Sequence, residues 1–152
     1  MNVTITYEVT PEQLDDMLTC WLEGAPAEDC GFRYVRYKTK PEDKDMYTGE
    51  IIVKRLLAKE KVEFLDPESD WKWDADKLNK GMHWSWEFQG HHPVGGEWKT
   101  LTIRKFLKGI EMYLSNEVCN GCKSVQSIID DGDWTDVDAI LQYAMYGDLI
   151  YG

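Results

Sequence analysis

Val3, Ile5, Tyr7 and Val9 alternate with Thr4, Thr6 and Glu8. Apolar and β-branched residues at period two predict a half-buried strand. Thr10-Pro11-Glu12-Gln13 then has the spacing of a capping box, with proline at the first helical position. Leu14, Met17, Leu18, Trp21 and Leu22 follow at steps of three and four, one apolar helical stripe. Gly24, Ala25 and Pro26 end it. Cys20 lies off the stripe.

Gly31 to Lys40 predicts a second strand, with Phe32, Tyr34 and Arg36 on one face and Val35 and Tyr37 on the other. Pro41 to Gly49 is polar and is expected as a loop. Glu50 to Leu57 and Lys61 to Leu65 are expected as a strand pair, with a short helix across Ile52 to Lys61 competing. Pro67 and Ser69 break the chain before Trp71 and Trp73. Ala75 to Gly81 suits a short helix. Trp84, Trp86 and Phe88 alternate with polar residues as in a strand, and Gly90, Pro93, Gly95 and Gly96 make a loop.

Ile103, Phe106, Leu107, Ile110, Tyr113 and Leu114 give a strong amphipathic signal, with Thr100 or Thr102 as its cap. Val125, Ile128 and Ile129 extend to a further turn or two of helix, which Gly132 breaks. Thr135 and Asp138 have capping-box spacing before Ile140, Leu141, Ala144 and Met145, and Gly147 stops this last helix. Short strands mixed with helices predict a single α+β domain over residues 1–152, a small mostly antiparallel sheet packed against three or more helices.

Charge changes the picture most. The 152 residues hold 17 Lys+Arg against 28 Asp+Glu, a net charge of −11. Residues 1–30 carry Glu8, Glu12, Asp15, Asp16, Glu23, Glu28 and Asp29 with no base, and residues 130–152 carry Asp130, Asp131, Asp133, Asp136, Asp138 and Asp148, again with no base. Two acidic ends thus flank a near-neutral centre. Such a field repels nucleic acid and anionic membrane and attracts basic surfaces. Direct nucleic-acid binding and membrane binding are therefore not expected. The opening MNVTITYEVTPEQ has neither a basic start nor an apolar signal core, so the expected compartment is a bacterial cytoplasm, a reducing one.

The tail DVDAILQYAMYGDLIYG, the opening order ending in Trp21-Leu22-Glu23-Gly24, and TLTIRKFLKGIEMYL from Thr100 to Leu114 together resemble a family of small proteins. These are encoded by phages and prophages of gut Firmicutes and commonly end in an ADxILQYALFGEIVYG-like tail. Asp138-Ala139-Ile140-Leu141-Gln142-Tyr143-Ala144 and Gly147 match it, and Met145 and Tyr146 stand in place of the usual Leu-Phe pair. The resemblance covers about half of the chain. It implies origin in a mobile element and carries no reaction.

Cys119-Asn120-Gly121-Cys122 is the sharpest chemical motif. Two thiolates two residues apart can chelate one tetrahedral zinc, and an Asn-Gly turn aims backbone amides at the sulfurs. Cys20 and Cys30 can complete a four-cysteine site, and His91 and His92 are alternative ligands. A closed site of this kind is structural, since catalytic zinc keeps an open position. Buried or surface thiols are the plain alternative. No thioredoxin-like βαβ pattern surrounds the motif to favour redox chemistry. The aspartates at 130–138 fail the EF-hand spacing. No GxSxG, HExxH, HxE…PCxxC or P-loop is present, and no catalytic residue is assigned. Trp71, Trp73, Trp84, Trp86 and Trp98 are expected mostly in the core.

The expected function combines charge with the implied phage origin. It is a non-enzymatic, acidic interaction protein that inhibits a host defence protein, foremost a CRISPR effector nuclease, by docking on a basic nucleic-acid-handling surface. Its expected contacts are Asp15, Asp16, Glu28, Asp29, Asp130, Asp131 and Asp133. A small zinc-dependent enzyme, or an accessory protein binding another phage protein, are the alternatives.

Overall fold

Residues 1–3, 6–24, 34–74, 82–84, 92–116 and 124–150 are described by the computed structural model. Helix α1 (Pro11–Gly24) starts as its sequence requires. The Thr10 amide donates to Gln13 Oε1 at 3.0 Å and the Gln13 amide to Thr10 Oγ1 at 3.2 Å, the reciprocal bonds of a capping box. Leu14, Met17, Leu18 and Trp21 are buried.

The chain is an α+β fold around a four-stranded antiparallel sheet of order β4-β1-β2-β6. Its strands are β1 (Val35–Lys38), β2 (Val62–Leu65), β4 (Met82–Trp84) and β6 (Trp98–Leu101). A separate ribbon pairs β3 (Trp71–Asp74) with β5 (His92–Gly95). In β1, Val35 and Tyr37 are fully buried, in register with Phe64 and Val62 of β2. These side chains join one core with the helices, and the Trp21 ring meets Phe64 edge-on at 5.6 Å. Tyr34, predicted to share the outer face with Arg36, is also buried, its ring edge-on to Trp71 at 5.7 Å.

Three sequence expectations fail here for one reason, that tertiary packing outweighs local pattern. The segment Val3–Val9 is not a strand over its described residues. Tyr7 and Val9 satisfy their apolar pattern by packing half-buried on the helical core without joining a ladder. Glu50–Leu57 is no strand either, and the competing helix across Ile52–Lys61 stands over Ile52–Leu57. The segment belongs to α2 (Thr48–Leu57), preceded by a 3-10 turn at Pro41–Asp45 where a loop was expected. Gly49, Ile52, Val53 and Leu56 are buried at helical spacing while Lys54 and Leu57 face out. β-propensity spans only ~1 kcal/mol, less than the ~1.5–3 kcal/mol of burying one such side chain. The expected Gly-rich loop holds β5, whose Pro93 is tolerable because the two-stranded ribbon has open edges. Gly95 and Gly96 take positive φ of 77° and 74° in its turn toward β6. The expected hairpin partner of β2 is thus helical, and β2 pairs instead with β1 and β6. The expected helix at Ala75–Gly81, and Trp86 and Phe88, lie outside the described residues.

α3 (Ile103–Ser115) is capped by Thr102, whose Oγ1 accepts the Lys105 amide at 3.1 Å. Thr100 is a strand residue of β6. Phe106, Ile110 and Tyr113 are buried as predicted, but Leu107 is 41% exposed. α4 (Val125–Asp131) and α5 (Trp134–Tyr146) follow. α3 and α5 cross at Gly109, where a Cβ would come within 2.5 Å of the Ile140 carbonyl oxygen. That atom is backbone, so only glycine permits this approach. α5 ends at Gly147 with φ 73°, a left-handed C-cap.

No helix among the described residues is long and apolar enough to cross a membrane.

Candidate functional site

The two acidic stretches, far apart in the chain, fold side by side. Gln13 of α1 donates to Gln126 of α4 at 3.1 Å, and Trp21 of α1 donates to Asp138 of α5 at 3.4 Å. Gly24 at the end of α1 lies against the Trp134 ring at the start of α5. On α1, Glu12, Asp16, Cys20 and Glu23 recur at helical spacing and form one stripe. Asp130 and Asp131 at the end of α4 and Asp133 at the start of α5 are exposed beside it. Every ion pair observed among the described residues involves carboxylates between Asp43 and Glu111. Glu12, Asp16 and Glu23 of α1 and Asp130 and Asp131 of α4 therefore face solvent without a described basic partner.

The electrostatics at Cys20 record this convergence. Burial, and then the carboxylates of Asp133, Asp136 and Glu23, push its thiol above the ordinary value. A half-buried thiol that holds its proton is a poor nucleophile. Among the described residues, no three His, Cys, Asp or Glu side chains stand close enough to hold a metal ion. Cys30, Cys119, Cys122 and His91 lie outside the described residues, and His92 begins β5.

The predicted contact acids divide by task. Asp16, Asp130 and Asp131 are exposed. Asp15 is half-buried, accepts from Thr19 Oγ1 at 3.2 Å and sits against Gly49 of α2. Burial raises its carboxyl pKa, Thr19 opposes this, and Asp16 and Glu50 add to it. Asp133 caps α5. Its Oδ1 accepts the Thr135 amide at 2.8 Å and the Thr135 hydroxyl, while its own amide donates to Asp136 Oδ2 at 2.7 Å. These Thr135 bonds hold its carboxyl below the ordinary value against burial. The capping box is therefore Asp133–Asp136, not Thr135–Asp138. Glu28 and Asp29 lie outside the described residues.

Asp138 is buried and ties elements together. Besides Trp21, it accepts from Gln142 Nε2 at 2.8 Å, and Gln142 Oε1 accepts the Ile150 amide at 2.8 Å. The polar residues of the tail thus dock α1 on α5 and pin the segment after α5. Their work is structural, which accounts for a tail that carries no reactive group.

Sequence reasoning missed a second feature, the basic side of α3. Arg104, Lys105 and Lys108 are exposed opposite Phe106 and Ile110. Its signal in the sequence is the spacing of these cations around the apolar stripe.

Comparison of the chain with protein-family models, with curated proteins and with solved structures finds no match.

Proposed function

We propose that this chain is an acidic interaction protein of phage or prophage origin that inhibits a host defence system by binding a basic, nucleic-acid-handling surface. A CRISPR effector nuclease is the partner whose chemistry fits best. The observation that supports this reading most is the merging of both acidic stretches on α1, α4 and α5 with no described counter-charge. Neighbouring carboxylates repel one another, and at Asp16, Asp130 and Asp131 no ion pair among the described residues offsets this. It does project a concentrated negative field, as a phosphate backbone does. An effector nuclease holds guide and target in positively charged channels, so such a face competes with DNA there.

The test is cleavage of target DNA by a guide-loaded CRISPR effector nuclease, with the chain added before or after the DNA. Inhibition is expected only when the chain is added first. Reversing Asp16, Asp130 and Asp131 to Lys moves the net charge from −11 to −5. This variant should associate roughly tenfold more slowly at low salt, with the difference closing as salt screens charges over ~8–10 Å. It should melt like the parent. If it inhibits as fast as the parent at low salt, or if the parent never inhibits, the reading is wrong.

We further propose that a structural zinc joins Cys20, Cys30, Cys119 and Cys122. Elemental analysis of protein purified without added metal should find about one zinc per chain. Cys119→Ser with Cys122→Ser should then release it and lower the melting temperature, because metal binding is coupled to folding. Far less than one equivalent in the parent removes the metal.

A further inference from the structure

The Thr6–Val9 segment lies beside α3 and walls a groove of about 930 Å³. Its floor is apolar, with Tyr7, Val9 and Ile110 below the exposed Leu107. Its rim is basic, with Arg104, Lys105 and Lys108, and one acid, Glu111, already paired with Lys108 at 3.2 Å. In a chain of net charge −11 this is a local concentration of positive charge. The segment after α5 has the converse character. Leu149 and Ile150 are 43% and 55% exposed next to Asp148. The left-handed turn at Gly147 and the Ile150–Gln142 hydrogen bond hold this segment in place, so little ordering entropy remains to be lost on binding.

We propose that the α3 groove receives Asp148–Ile150 of a second copy of this chain. Leu149 and Ile150 cover the apolar floor, and Asp148 meets the Arg104–Lys105 rim. The exposure of Leu149 and Ile150 within the single chain shows that its own groove does not hold them. A nucleic-acid strand fits less well, because most of the groove between the basic side chains is apolar. Three residues bury far less than the ~1,200 Å² of a stable interface, so one contact is weak. Reciprocal exchange between two copies uses it twice about a two-fold axis.

The experiment is sedimentation velocity on the full chain from micromolar to millimolar concentration, at low and high salt. The average mass should rise with concentration, most clearly in high salt, where the repulsion between two chains of net charge −11 is screened. Lys105→Glu with Lys108→Glu reverses the sign of the groove's net charge, and Leu149→Ser with Ile150→Ser removes the inserted side chains. Each variant alone should stay monomeric. An equimolar mixture restores one of the two reciprocal contacts, so at millimolar concentration it should associate more than either variant alone and less than the parent. Arg104→Glu is a second groove variant should the lysine pair melt early. A parent that stays monomeric at millimolar concentration overturns the proposal. So does association that neither variant pair weakens, or a mixture no heavier than its components. Capture of labelled oligothymidylate that depends on Lys105 and Lys108, without self-association, also overturns it and assigns the groove to nucleic acid. Asp16, Asp130 and Asp131 take no part in this contact, so its failure leaves the nuclease reading standing, and the reverse holds.

Discussion

Replacing Arg55 by Met is expected to destabilise the fold by about 3–5 kcal/mol, the usual cost of removing one partner from a buried ion pair. Arg55 is 4% exposed. It pairs with Asp43 in the 3-10 turn, donates from Nε and Nη2 to the Lys38 carbonyl at 3.3 and 3.2 Å, and lies 3.5 Å from Glu60. Its guanidinium also stands 5.7 Å from the centre of the Tyr37 ring. One side chain thus joins β1, the 3-10 turn and the end of α2. Removing it leaves the Asp43 carboxylate buried, with Oδ1 already lacking a hydrogen-bond partner. Asp43→Asn added to Arg55→Met should recover part of the loss, because no uncompensated charge then remains. Urea unfolding of the three proteins measures this. A loss under ~1 kcal/mol for Arg55→Met would mean the pair is solvated in solution.

The same network sets an acid limit. Burial raises the Asp43 carboxyl, but the bonds from Arg55 and the Lys40 amide, with both charges, hold it below its ordinary value overall. Lys40 does the same for Glu60, against burial. A carboxyl whose folded pKa is depressed contributes stability above its unfolded pKa and loses it as pH falls through the folded value. Stability should therefore decline from ~pH 5 downward. Asp15, raised by burial, runs the other way and offsets part of the decline. In the Arg55→Met protein the Asp43 contribution vanishes, so its acid decline should be shallower.

Trp21→Ala is expected to cost a similar ~3–5 kcal/mol, and here packing dominates. The ring is 1% exposed, edge-on to Phe64, and its Nε1 bond to Asp138 is long at 3.4 Å. Trp21→Phe keeps most of the apolar contact and leaves Asp138 with Gln142 as its donor. It should cost only ~1–2 kcal/mol. Equal losses for the two variants would instead place the energy in the hydrogen bond. Against a total stability of ~5–15 kcal/mol, Trp21→Ala is close to unfolding the chain.

The acidic site was half legible. The acids at 1–30 and 130–152 were visible as composition, but not that α1, α4 and α5 bring them together. Nor could spacing show that Asp133 is occupied as a cap and Asp15 is half-buried against α2, leaving Asp16, Asp130 and Asp131 as the exposed members. The basic groove was less legible still, because one wall is a segment whose alternation predicted a strand.

By itself the sequence determined what is encoded within a few residues. The Thr10–Gln13 box, the Thr102 cap, the stripe of α1, that of α3 apart from the exposed Leu107, and the stop at Gly147 are local and stand in the structure. The tertiary structure decided what depends on partners distant in the chain. Residues 50–57 became helix because α1 and the sheet bury one helical face of them. Tyr7 and Val9 pack half-buried against the core without joining a strand. β5 exists because β3 lies opposite it. A side chain's apolar character is set locally, but the surface that buries it is supplied by the rest of the fold, and the ~1 kcal/mol of local strand preference yields to that burial.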